Sequence, residues 1–153
     1  MLLSLGLLVL WIAAWGLPAM RVAGQAQLER EAISTLRRIQ WAEGRYREET
    51  GAWGTIRQLA GADPVDGATL GGSLLPTVGV ELHGQVLFHE GYCFRIDVQE
   101  DGYGAWAWPH APGATLVACI GPTGDPVLTP LEAHGCEGGP PPSACGKGAP
   151  HPP

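Results

Sequence analysis

The first twenty residues, Met1 to Met20, carry no charged side chain, and the first charge is Arg21. Nothing else in the chain limits its fold as strongly. Twenty residues of helix span about 30 Å, the thickness of a bilayer's hydrocarbon core. A secretory signal peptide is the competing reading, but it requires a positive n-region and a shorter apolar core. No Lys or Arg precedes this run, and helical pattern continues past Arg21, so a retained membrane helix is expected. Trp11 and Trp15 suit the interfacial zone, where an amphipathic ring meets both lipid and water. With Leu3, Leu7 and Leu10 they form the expected contact set for lipid or for neighbouring helices. Pro18 lacks an amide and follows Gly16 closely, which predicts a weak point in the helix at Gly16 and Pro18.

Beyond Arg21 the pattern becomes amphipathic. Leu28, Ala32, Leu36, Ile39, Ala42 and Tyr46 recur three or four residues apart and form one apolar stripe. Ile33 and Trp41 widen it on one flank. Arg30, Ser34, Arg37, Arg38, Arg45 and Glu48 face elsewhere. Glu43 precedes Arg47 by four residues, the favourable order for an ion pair on a helix surface. Gly51 is placed to cap the run. One nearly continuous helix is therefore predicted from about residue 2 to about residue 50. Its second half needs a sheet to cover its apolar face.

The remaining chain holds most of the 23 glycines and 14 prolines, which argues against much further helix. Thr55 to Ala60 reads as one or two helical turns, and residues 61–84 read as loop. Strand signals follow. They are the apolar run Gln85–His89, the alternating Tyr92–Val98, then Tyr103–Trp108, Thr115–Ile120 and a short piece at Pro126–Leu128. Turn residues separate them, so an antiparallel meander is expected, with Tyr92, Phe94, Ile96 and Val98 on one face. Trp106 and Trp108 share the face opposite Tyr103, Ala105 and Ala107. Such a pair suits stacking on a ligand such as a sugar, or packing on a helix or a neighbouring subunit. The tail from Glu137 to Pro153 is rich in Pro and Gly and is expected to be irregular. The organisation is thus an apolar helix half at residues 1–23, a head at 24–135 and a tail at 136–153.

The net charge is −6, and basic residues cluster only at Arg37–Arg38 and Arg45–Arg47, so no nucleic-acid partner is expected. Walker loops, nucleophile elbows, His-Glu-x-x-His and Cys-x-x-Cys are all missing from the sequence, and no enzymatic activity, cofactor or metal is expected. His134, Cys136, Cys145 and His151 have gaps that fit no standard zinc pattern. Asp97, Glu100, Asp101 and Asp125 would have to meet at one sheet end to hold calcium, and are read as turn and surface carboxylates. Four cysteines, all beyond the apolar run, suggest an oxidising compartment. Cys136 and Cys145 bracket a stretch containing Gly138-Gly139-Pro140-Pro141-Pro142, and their disulfide would close a loop worth roughly 2–3 kcal/mol on the chain-entropy account. That leaves Cys93 and Cys119 to each other, although in a meander they lie about 9–10 Å apart across a middle strand, too far to bond.

Gly16-Leu17-Pro18-Ala19-Met20-Arg21 resembles the break after the hydrophobic core in type IV pilins and type II secretion pseudopilins. Ala32-Ile33-Ser34-Thr35-Leu36-Arg37-Arg38-Ile39, Ala42-Glu43, Tyr46, Thr50-Gly51, Trp53-Gly54-Thr55 and Leu59 resemble the helix end and first loop of many pilin-like proteins. Tyr92-Cys93-Phe94, Tyr103–Pro109 and Gly121-Pro122-Thr123-Gly124 are similar to the sheet of that group. The resemblance covers roughly residues 2–128 and rests on the order and spacing of its motifs. The family's basic leader, cleavage glycine and Phe-Thr-Leu-Ile-Glu type start have no counterpart here. Counting back from Pro18 places the family's glutamate on Met1, so the start lies upstream or the chain lacks that glutamate. The resemblance implies an α+β, pilin-like fold, one long N-terminal helix packed on a small antiparallel sheet. It implies a structural subunit of a pilus or secretion pseudopilus, held as a single pass in a bacterial inner membrane with its head in the periplasm or outside. Its partners would be membrane lipid and copies of itself or related pilins. A monomeric, membrane-tethered envelope binding or accessory protein is the alternative.

Overall fold

The computed structural model describes residues 2–63, 74–75, 80–110, 115–130 and 136, and for 2–21 the backbone alone. Helix α1 runs from Leu2 to Thr50, 49 residues, or about 73 Å of helix. It passes through Gly16 and Pro18 without a break, and no turn divides residues 24–45. Gly51 ends it as the pattern predicts: its φ of 79° lies in the left-handed region, and its amide donates to Arg47 O at 2.8 Å. Thr55 then caps the four-residue α2, Ile56–Leu59, through a capping box with Gln58.

Six strands follow: β1 Val80–His83, β2 Val86–His89, β3 Tyr92–Gln99, β4 Gly102–Pro109, β5 Leu116–Ile120 and β6 Val127–Pro130. They form one antiparallel sheet in chain order. The meander is as expected, but β1 occupies residues read as loop. Its two-residue connection to β2 turns at Gly84, whose φ is 59°. The β2–β3 connection is equally tight. Glu90 and Gly91 both have positive φ, 48° and 76°, the requirement of a hairpin turn whose twist matches its strands.

The apolar stripe of α1 lies across β4 and β5. Ala32, Leu36, Ile39, Ala42 and Tyr46 are buried, and Leu28 is partly so. They join Tyr92, Phe94 and Ile96 of β3, Tyr103, Ala105 and Ala107 of β4, and Ala118 and Ile120 of β5. Alanines on both surfaces let helix and sheet approach closely, while tyrosines and Phe94 fill the core beside them. Ile33 is half-buried, but Trp41 is 61 % exposed, so the stripe is narrower than the sequence implied.

The opposite face of the sheet is also buried at its centre. Cys93, Trp106, Trp108, Val117 and Cys119 are buried there, with Val86, Phe88 and Cys136 packed against them. Trp106 and Trp108 are therefore covered within the chain, on the face away from α1, and are exposed to no ligand or neighbour. Cys93 on β3 is bonded to Cys136, with a Cα–Cα distance of 5.6 Å. This corrects the expected Cys136–Cys145 loop and the Cys93–Cys119 pair. Sequence nearness favoured Cys145, but Cys93 lies at the outer surface that Cys136 packs against. Cys119 is separated from Cys93 by β4 and is itself disulfide-bonded. The remaining cysteine of the sequence, Cys145, lies outside the described residues, as do His134 and His151.

Candidate functional site

Three places in the molecule carry more than packing. The first is α1 itself. Glu29, Arg37 and Gln40 fasten one flank of the helix to the far side of the sheet. Glu29 accepts from Thr115 Oγ1 at 3.2 Å, Arg37 pairs with Asp125 at 2.8 Å, and Gln40 donates to Gly121 O at 3.0 Å. All these contacts, and every core residue among the described side chains of α1, lie from Leu28 onward. Between residues 22 and 27 the helix contributes nothing to the core, and Val22 is 64 % exposed. Among the residues whose side chains are described, no helix is long and apolar enough to cross a membrane. The expected contact residues Leu3, Leu7, Leu10, Trp11 and Trp15, and the side chains of the uncharged run, lie outside them.

The second place is Glu43, which the sequence reading put on the helix surface beside Arg47. It is fully buried. The loop after Gly51 folds back over the helix, and Gly54 donates its amide to Glu43 Oε2 at 2.8 Å. A Cβ at Gly54 would come within 3.0–3.2 Å of the Tyr46 and Leu59 side chains, so glycine lets the backbone approach here without displacing them. Arg47, freed from the expected pair, stacks on Trp53 at 4.3 Å from the ring centroid. Trp53 in turn tilts against Tyr103, with ring centroids 5.0 Å apart. Glu43 Oε1 and the Tyr103 hydroxyl are buried with no hydrogen-bond partner among the described residues. Burial pushes the Glu43 carboxyl from 4.5 up to about 7 against the lowering effect of the Gly54 amide. Burial and then the nearby Glu43 charge raise the Tyr103 phenol above its usual range, and raise Tyr46 for the same reasons. A carboxyl so placed holds a proton near neutrality and ties the α1–α2 loop to the helix through the Gly54 amide.

The third place is on the outer face. The donor atoms of Cys93, His110 and Cys136 lie within 4.8 Å of one another. His110 follows β4 directly, and its amide donates to Gly91 O at 2.9 Å, extending the β3–β4 ladder by a rung. Its ring meets Phe88 edge-on at 5.0 Å. The four carboxylates considered for calcium do not gather. Asp97 binds Arg95 at 2.6 Å on the outer face, and Asp125 is held by Arg37 across the helix.

Glu43 was legible only as a helix-surface acid, because its burial comes from the loop after Gly51. The Cys93–His110–Cys136 cluster carried no spacing signal, since its members come from β3, the end of β4 and the tail. No family profile, curated protein or solved structure matches the chain. The functional reading therefore rests on the geometry and on the resemblance in its motifs.

Proposed function

We propose that this chain is a structural subunit of a type IV pilin-like filament, a pilus or a type II secretion pseudopilus. Before assembly the N-terminal half of α1 holds it in a bacterial inner membrane, with the head in the periplasm. On assembly the same half packs against the corresponding helices of neighbouring copies. The observation that carries the reading is the division of α1. One unbroken helix runs from Leu2 to Thr50, and among its described side chains, from Val22 onward, the core contacts begin at Leu28. The uncharged residues 1–20 lie wholly in the part before that point. An apolar surface of that size needs lipid or other apolar helices, and the two are similar environments for it. The disulfide between Cys93 and Cys136 suits an oxidising compartment.

The test is a photo-cross-linking residue at Leu10 of the full chain, in cells with an active filament system. The proposal expects ladders of cross-linked subunits in the filaments sheared from those cells. Recovery of the chain only from the membrane fraction, as an uncross-linked monomer, would overturn it and favour a tethered accessory protein.

A further inference from the structure

The outer-face cluster joins two sulfurs and an imidazole from three separate parts of the chain. We propose that reduction of the Cys93–Cys136 disulfide converts this place into a zinc site, with Cys93, Cys136 and His110 as ligands and a water in the fourth position. The sheet register explains how the donors come together. Cys93 pairs with Trp108 across the β3–β4 ladder, and His110 lies two residues further along, opposite Gly91. Alternation therefore puts Cys93 and His110 on the same face. The Cys93–Cys136 Cα distance of 5.6 Å suits a disulfide and equally suits two thiolates on one ion.

The donor atoms already lie within 4.8 Å of one another. Zinc bonds of about 2.3 Å to sulfur and about 2.0 Å to nitrogen set ligand atoms roughly 3.5–4 Å apart, so the imidazole moves in while the two sulfurs, bonded to each other in the oxidised chain, move apart on reduction. His110 is exposed, so its ring has room to make the adjustment, and the ion has a route in from solvent. The edge-on contact with Phe88 and the backbone bond to Gly91 hold the imidazole near the sulfurs. Two thiolates and an imidazole are soft to borderline donors, which select zinc over magnesium or calcium.

The chemistry balances in two steps. A dithiol reductant gives two electrons and two protons to the disulfide, which becomes two thiols while the reductant becomes a disulfide. Zinc then forms two Zn–S bonds and one Zn–N bond, and the two thiol protons leave to solvent. The oxidised site takes no ion, because its sulfurs are bonded to each other. The place thus alternates between a covalent staple and a metal staple joining residue 136 to the same strand.

The experiment uses the full chain in detergent at neutral pH. Oxidised and dithiol-reduced protein are titrated with zinc, and with cobalt as a coloured substitute, and thiols are then alkylated and mapped. The proposal expects one ion per reduced chain and none on the oxidised chain. It also expects the visible bands of tetrahedral thiolate-bound cobalt, and zinc protection of Cys93 and Cys136. His110→Ala, a change at an exposed position, should weaken zinc binding at least tenfold while the oxidised protein stays folded with its Cys93–Cys136 disulfide intact. Equal binding by oxidised and reduced chains, undiminished binding by His110→Ala, or protection confined to Cys119 and Cys145 would each overturn it.

Discussion

The two halves of α1 share one backbone and differ in what surrounds them. From Leu28 to Tyr46 the helix presents alanines, branched aliphatics and Tyr46 to the sheet, and its polar flank is tied down by Arg37 and Gln40. Before Leu28 the helix has no such ties among its described side chains, and its sequence up to Met20 is uncharged. The difference separates two properties usually mixed in one helix. The second half governs whether the head folds. The first half, on the reading proposed here, governs where the chain resides and with what it assembles. Substitutions in the two halves should therefore change different observables.

The largest effect on folding is expected at Leu36, fully buried at the centre of the helix–sheet contact. Leu36→Ala should cost the head about 2–5 kcal/mol through lost burial and the cavity left behind. A thermal melt of the head would show a drop of roughly 8 °C or more, since each kcal/mol is worth about 4 °C in a domain of this size. A smaller change in the melt would show that the sheet can close over the gap.

Leu7→Asp probes the other half. A carboxylate at the centre of a membrane helix costs about 3 kcal/mol. Membrane retention and filament recovery should both fall sharply, while the melt of the head stays within about 0.5 kcal/mol of the parent, the usual range for a change remote from the core. A destabilised head would mean that the halves are coupled.

Glu43 sharpens the comparison because it is the one carboxylate buried in the helix–sheet core among the described residues. Its folded-state carboxyl is raised from 4.5 to about 7, so between these values the folded chain holds a proton that the unfolded chain has lost. The associated stability is fully present below about pH 4.5 and is lost as pH rises through about 7, on the order of 3 kcal/mol in all. Glu43→Gln keeps an acceptor for the Gly54 amide and cannot titrate. It should remove this slope and leave the variant more stable than the parent at pH 8, measured by denaturant titration across pH. An unchanged slope would place the titration elsewhere.

The smallest effect is expected at Arg37, whose bridge to Asp125 is exposed on both sides. Arg37→Ala should cost less than about 1 kcal/mol and should lose even that in high salt.

The helix half that builds the core was readable because a 3.6-residue period needs no knowledge of its partner. Leu28 to Tyr46 alternates on the helix as Tyr92 to Ile96 alternates on the strand, and the two patterns meet. Glu43 was misread because a four-residue spacing to Arg47 assumes that both side chains stay at the surface. The loop through Trp53 and Gly54 removes Glu43 from water and gives Arg47 a ring to stack on instead. Trp41 looked like stripe and is exposed, since the alanine-lined contact is too narrow to reach it. β1 was hidden among glycines, which read as loop even where Gly84 supplies a hairpin turn. The cysteine pairing followed from the outer face of the sheet, and a linear spacing says nothing about which segment covers that face.

The central claim is that the residues before Leu28 serve assembly and anchoring, while those after it form a self-sufficient head. Sedimentation of the chain with residues 1–23 deleted, beside the full chain with and without detergent, tests it most directly. The truncated chain should be a folded, soluble monomer, and the full chain should require detergent or form filaments. A full chain that sediments as a soluble monomer without detergent would contradict the claim.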